Sequence, residues 1–242
     1  MEFAIVLAAT LGACLLLRTP LHKHPTVFYA LAIAIDVLFV FGSTVGLPRP
    51  VWAALFVLVQ KCELSLALFA IVMYIGVLSP TSKLYQWLKP IRSELSIIAW
   101  FLALGHMAVY LLAYIPKTFQ GAHVDTNVFG GFVLAMILLV LLMVLGITSF
   151  AGVKRHMRAD DWKRLQKLAY PFFMLIYVHV LLLLLPAALH GGLSASVTVA
   201  VYSVVFVGYA IARTARALHE RVKDERSVKL TAESDEWERA KA

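Results

Sequence analysis

Residues 91–111 read IRSELSIIAWFLALGHMAVYL, and residues 170–185 read YPFFMLIYVHVLLLLL. Both are apolar runs with one histidine near the middle, His106 in the first and His179 in the second. A run of about 20 apolar residues crosses the hydrocarbon core of a bilayer as a helix. An imidazole enclosed in hydrocarbon is costly unless something partners it. The two stretches therefore set the fold class, a polytopic transmembrane helix bundle, and also point to the place where function is concentrated.

The rest of the chain agrees. Of 242 residues, 61% are hydrophobic and 15% charged, with a mean hydropathy of +0.82. A soluble domain is about 45–50% apolar and about 25% charged. No strand-like alternation is present, so the spans are expected to be helices, which satisfy their own backbone in lipid. Seven candidate spans can be counted, at roughly 2–18, 27–46, 50–78, 95–115, 128–150, 170–189 and 195–213. The third is overlong for a single crossing. Residues 1–213 form the expected bundle, and 214–242 a polar tail, read as a short helix with a disordered end.

The net charge of +8 resides in short loops rather than in a nucleic-acid-binding patch, and no nucleic-acid partner is expected. Arg18 and Lys23 fall between spans one and two, and Lys83, Lys89 and Arg92 between three and four. Lys154, Arg155, Arg158, Lys163, Arg164 and Lys167 lie between five and six, and Arg213 and Arg216 follow the last span. All four segments share one side of a seven-span bundle. The positive-inside rule then places the N-terminus outside and the C-terminus in the cytoplasm. The first apolar run lacks a basic leader, and Arg18 follows it, so it reads as a retained span and not as a cleaved signal. A multi-pass protein of a bacterial cytoplasmic membrane is the expected setting.

Depth then connects the histidines. His106 lies 12 residues beyond Glu94 and His179 lies 10 beyond Ala169, about 18 and about 15 Å from the same face at about 1.5 Å per residue. Two imidazoles at similar depth on two helices suit the axial positions of a b-type heme, a six-coordinate iron that moves electrons and leaves no open site. The competing reading is that each histidine is a hydrogen-bonded interior residue. Gly105, beside His106, leaves room where a porphyrin could approach. His22, His24 and His156 sit in basic loops, and His123 and His190 at the outer edge. Cys14 and Cys62 form no CxxC pattern, which argues against covalent heme or zinc. No GxGxxG or GxxxxGK[ST] occurs, so a nicotinamide- or nucleotide-binding domain is not expected within the chain.

In order and spacing, residues 91–111, LGITSF at 145–150, and WKRLQKLAYPFFMLIYVHVLLLLL at 162–185 resemble the ferric reductase-like transmembrane domain. The likeness covers about residues 60–212 and looks nearest to the MsrQ-type heme-bearing membrane subunits. It implies that His106 and His179 hold the heme nearer the outer face. Two-heme members carry a second histidine pair toward the inner face. Here Gln166 stands 13 residues before His179 and Arg92 stands 14 before His106. Neither is a credible iron ligand, so one heme b per chain is expected. The resemblance further implies a cytoplasmic flavin reductase or a quinol as electron donor and an extracytoplasmic reductase as acceptor. FMN, FAD or quinone are then possible additional cofactors. Arg155, Arg158 and Arg164 of the basic loop are candidates for holding propionates or a flavin phosphate, against the plainer role of facing lipid headgroups.

Asp36, Lys61 and Glu63 fall inside apolar runs. Counting from the outer ends of spans two and three puts Asp36 and Lys61 at equal depth, which predicts an ion pair, with Glu63 on another face. The sequence thus reads as an electron-transfer subunit of an oxidoreductase system rather than a complete enzyme. The alternatives are a quinone-reactive cytochrome subunit of another respiratory complex, or a heme-free transporter or assembly protein on the same scaffold.

Overall fold

The computed structural model describes residues 2–119 and 125–241, with backbone only for 43–45, 117–119, 223–225 and 227–241. His123 lies outside the described residues. The protein is all-helical over this range. The helices are α1 (Glu2–Leu16), α2 (Arg18–Lys23), α3 (Pro25–Val45), α4 (Arg49–Leu55), α5 (Glu63–Ile75), α6 (Lys83–Leu88) and α7 (Arg92–Phe119). They continue as α8 (Thr126–Ile147), α9 (Ala151–Lys154), α10 (Ala159–Gln166), α11 (Ala169–Leu189) and α12 (Leu193–Lys241).

Five helices are long and apolar enough to cross a membrane: α3, α7, α8, α11 and the first part of α12. A sixth span forms if the bent pair Arg49–Gln60 and Glu63–Ile75 is taken as one crossing. The chain is thus an integral, multi-pass membrane protein. The expected seven spans are not all of standard length. Helix α1 has 15 residues, about 22 Å at 1.5 Å per residue, short of the roughly 30 Å hydrocarbon core.

The third apolar run is broken rather than simply long. After α4 the chain makes a π-helical turn, Phe56–Gln60, in which Lys61 N–H bonds to the Phe56 carbonyl at 2.9 Å. Cys62 then takes a left-handed conformation with φ of 59°, and α5 leaves at 44° to the preceding helix. The last span also departs from expectation. Helix α12 runs unbroken for 49 residues, about 74 Å, so the tail is helical to Lys241 instead of ending in disorder.

Helix α5 is the axis of the bundle. Glu63, Ser65, Leu66, Ala67, Leu68, Ala70, Ile71, Val72, Met73 and Ile75 are all buried, a helix covered on every side. It packs on α1 and α7, and α7 packs in turn on α3. Small residues allow these approaches, as at Ser65, whose hydroxyl donates to the Ala99 carbonyl at 2.7 Å. Phe173 on α11 and Phe206 on α12 close the other flank, with ring centroids 4.4 Å apart. Helix α8 completes the bundle by packing along α11.

The basic segments meet at one end of this bundle. Arg18 lies over the Trp87 ring at 4.7 Å, Arg213 over Tyr170 at 4.9 Å, and Arg216 donates to the Leu78 carbonyl. His22 approaches Glu94 at 3.8 Å. The segments that the sequence assigns to one side thus come together in space.

Candidate functional site

Both mid-span histidines are tied by the same nitrogen to a backbone oxygen. Nδ1 of His106 lies 2.7 Å from the Gln60 carbonyl, and Nδ1 of His179 lies 3.0 Å from the Gly131 carbonyl. A carbonyl oxygen only accepts, so Nδ1 must carry the proton in each ring. In the neutral imidazole Nε2 is then the unprotonated nitrogen, the one that binds a metal. Both rings border α8, His179 at Gly131 and His106 through Tyr110 and Tyr114, which reaches Phe132. Helices α7 and α11 therefore present two metal-competent nitrogens to one region of the bundle.

Each carbonyl is available for a local reason. Gln60 closes the π-helical turn before the break at Cys62, so its carbonyl lies outside a regular helical ladder. Gly131, buried in α8, brings backbone close to the His179 ring. A Cβ there would stand 2.9 Å from Leu183 Cδ2 and 4.0 Å from His179 Cε1. Sequence reading missed both, although the GG pair at 130–131 is the sort of signal that marks close backbone approach. Gly105 has a different role from the one expected. A Cβ on Gly105 would run into the Asp36 carboxyl, so this glycine seats α3 against α7 instead of making room for a porphyrin.

An aromatic ladder leads from His106 toward the C-terminal end of α7. His106 and Tyr110 have centroids 4.8 Å apart, Tyr110 and Tyr114 are stacked at 6.0 Å, and Tyr114 faces Phe132 of α8 at 6.0 Å. Toward the basic end, Trp100 packs on Phe101 and Phe150. The surroundings of the histidines are thus apolar and aromatic on both sides.

The residue set fits a heme better than a bare metal ion. Among the described residues no group of three or more His, Cys, Asp or Glu side chains could hold a metal. Two imidazoles would suit a macrocycle that brings four nitrogens of its own. Gln166 donates its amide to the Thr148 hydroxyl at 3.2 Å, so its side chain is already engaged at the basic end.

Arg155, Arg158 and Arg164 are exposed around α9 and α10, away from the histidines. Arg164 stands 15 residues before His179, on the order of 20 Å along the chain's helical rise. They form a separate cationic rim with Lys154, which sits over the Trp162 ring at 4.1 Å. Asp160 and Asp161 lie inside the first turn of α10, where they favour the helix dipole, and make no cap hydrogen bond.

The expected Asp36–Lys61 pair does not form. Lys61 bonds to Glu2 of α1 at 2.6 Å. Depth counting assumed a straight third span, and the break at Cys62 turns Lys61 toward α1. Asp36 Oδ1 and Glu63 Oε2 are buried without a hydrogen-bond partner.

Comparison with known proteins follows this geometry. Residues 61–177 match the family described as ferric reductase like transmembrane component. The match begins at the helix break, includes His106, and stops two residues before His179. An uncharacterized protein of Treponema pallidum (strain Nichols) is 38% identical over 165 residues, which cover 66% of this chain and 45% of that relative. This chain therefore spans less than half of the relative's length. A ferric reductase-like transmembrane domain is characteristic of a membrane electron-transfer component.

The Asp36–Gly105 contact gives a direct check on the α3–α7 seat. Gly105→Ala should destabilise the detergent-solubilised protein by about 1–3 kcal/mol, the usual cost of overpacking. Most of that loss should vanish in an Asp36→Ala background. Equal losses in both backgrounds, in a thermal or denaturant melt, would show that the carboxyl is not what Gly105 accommodates.

Proposed function

We propose that this protein is a membrane b-type cytochrome that holds one heme between His106 and His179. The observation that carries this reading is the matched pair of Nδ1–H to carbonyl bonds at 2.7 and 3.0 Å. Those bonds orient both rings and leave both Nε2 atoms for iron. A heme held there would supply a one-electron redox centre with both axial positions filled.

The chain's own residues do the rest. α7 and α11 set the spacing of the ligands, and Gly131 lets α8 approach close enough to fix the His179 ring. Leu183 and the tyrosine ladder on α7 help keep the surroundings dry. No flavin- or nicotinamide-binding fingerprint occurs in these 242 residues, and the reading takes the electron donor and acceptor from outside this bundle. In an MsrQ-type arrangement the donor is a cytoplasmic flavin reductase or quinol, and the acceptor an extracytoplasmic reductase. The exposed rim of Arg155, Arg158 and Arg164 offers a cationic landing place for an acidic donor or a flavin phosphate. The clustering of basic segments at one end supports a cytoplasmic location for that end, with the N-terminus outside.

Two measurements test this. The purified protein should show one low-spin b heme per chain in its reduced-minus-oxidised spectrum, and His106→Ala and His179→Ala should each lose it. A folded protein without heme would overturn the proposal, and two hemes per chain would contradict the single site. For orientation, a membrane-impermeant thiol reagent should label Arg155→Cys in inverted vesicles and not in intact cells. Labelling in intact cells would reverse the topology.

A further inference from the structure

We propose that the break in the third span is a positioning device for the His106 ligand, and that Cys62 is the residue that holds it. The inference rests on the heme reading above and adds a function for a segment that the heme reading leaves unexplained.

In an unbroken helix each carbonyl already accepts the N–H four residues on, so a side chain can only share it. Here the ladder is interrupted at one place. Lys61 N–H reaches back five residues to Phe56, and Cys62 N–H bonds to the Val59 carbonyl at 3.0 Å. Cys62 sits at φ 59°, the sole non-glycine residue with positive φ among those described. Helix α5 then starts afresh, with Leu66 N–H on the Cys62 carbonyl at 2.9 Å. The Gln60 carbonyl is left pointing out of the helix, and the group it meets is the Nδ1–H of His106 at 2.7 Å.

Three features make the arrangement specific. The left-handed conformation is one that an L-residue with a side chain adopts at a cost, so the surrounding structure must enforce it. Val59 on one side of the break is fully buried, and Ser65 on the other is fully buried and bonded to α7 at Ala99. Both flanks of the break are thus anchored, Ser65 to the helix that carries His106. The acceptor is also a main-chain oxygen, so no side-chain substitution at Gln60 removes it directly. What controls it is the backbone at Cys62. An Nδ1–H held by a good acceptor makes Nε2 more electron-rich, which favours oxidised over reduced iron.

The test compares three substitutions at Cys62 in the full chain, by heme absorption, equilibrium redox titration, and nitrogen-15 NMR of histidine-labelled protein. Cys62→Gly adopts positive φ freely and should leave all readouts as in the wild type. Cys62→Val disfavours that conformation strongly and should weaken the His106 bond. The equilibrium should then move about tenfold toward reduced heme, which corresponds to about 59 mV for one electron. Cys62→Thr, β-branched like valine, should shift in the same direction and serves if the valine variant does not fold. Equal potentials in glycine, threonine and wild-type proteins would overturn the proposal, as would a shift in Cys62→Gly equal to that in Cys62→Thr.

If the wild type carries no heme, the electron-transfer reading fails, but NMR still decides this one. His106 should be the Nδ1–H tautomer in wild type and Cys62→Gly, assigned by loss of its signals in His106→Ala. A tautomer unchanged in Cys62→Thr and Cys62→Val would show that the break does not position His106.

Discussion

A buried imidazole inside a bilayer needs a hydrogen-bond partner, and in this bundle the partner in both cases is main chain. In a regular helix each carbonyl already accepts a backbone N–H, so a side chain gains a carbonyl of its own where the ladder is broken, or shares one where a helix comes close. The protein uses both solutions. The third span breaks at Cys62 and frees the Gln60 carbonyl for His106. Helix α8 approaches at Gly131, where the missing side chain lets its carbonyl reach His179. The rest of the architecture holds these two arrangements in register.

That dependence explains features that look unrelated. Helix α5 is buried all round because it is clamped between α1, α7 and α12, and the clamp fixes the lower side of the break. Helix α1 is short and runs parallel to α5, with Glu2 meeting Lys61 where the break exposes it. A salt bridge between two partly exposed groups adds little stability by itself. Its effect here is to give a charge at the break a fixed partner. Glycine at 105 and aspartate at 36 then lock α3 against the face of α7 next to His106.

Much of this was legible in the sequence, and the limits are instructive. The span positions came through because runs such as FVLAMILLVLLMVLGI at 132–147 have no other stable solution in lipid. The two histidines stood out because each is a lone polar group in such a run. The break did not stand out. FVLVQKCELSLALFAIVMYI at 56–75 reads as continuous helix former, and its warnings were excess length and two charges. Since depth counting presumes regular helix, the wrong partner for Lys61 followed from the missed break. The carbonyl acceptors were invisible for a related reason. They are backbone groups, and their availability depends on tertiary packing that no side-chain pattern records. The helical continuation of α12 to Lys241 was missed because a charged sequence without an apolar stripe gives no packing reason to be ordered.

The central claim is that His106 and His179 together would hold the iron of a single heme. Near-infrared magnetic circular dichroism of the oxidised wild-type protein reads the ligand pair directly, because the charge-transfer band reports which two atoms bind low-spin ferric heme. The account predicts a bis-imidazole band from one species. A band assigned to histidine with water, methionine or thiolate, or no ferric heme signal from a folded protein, would contradict it.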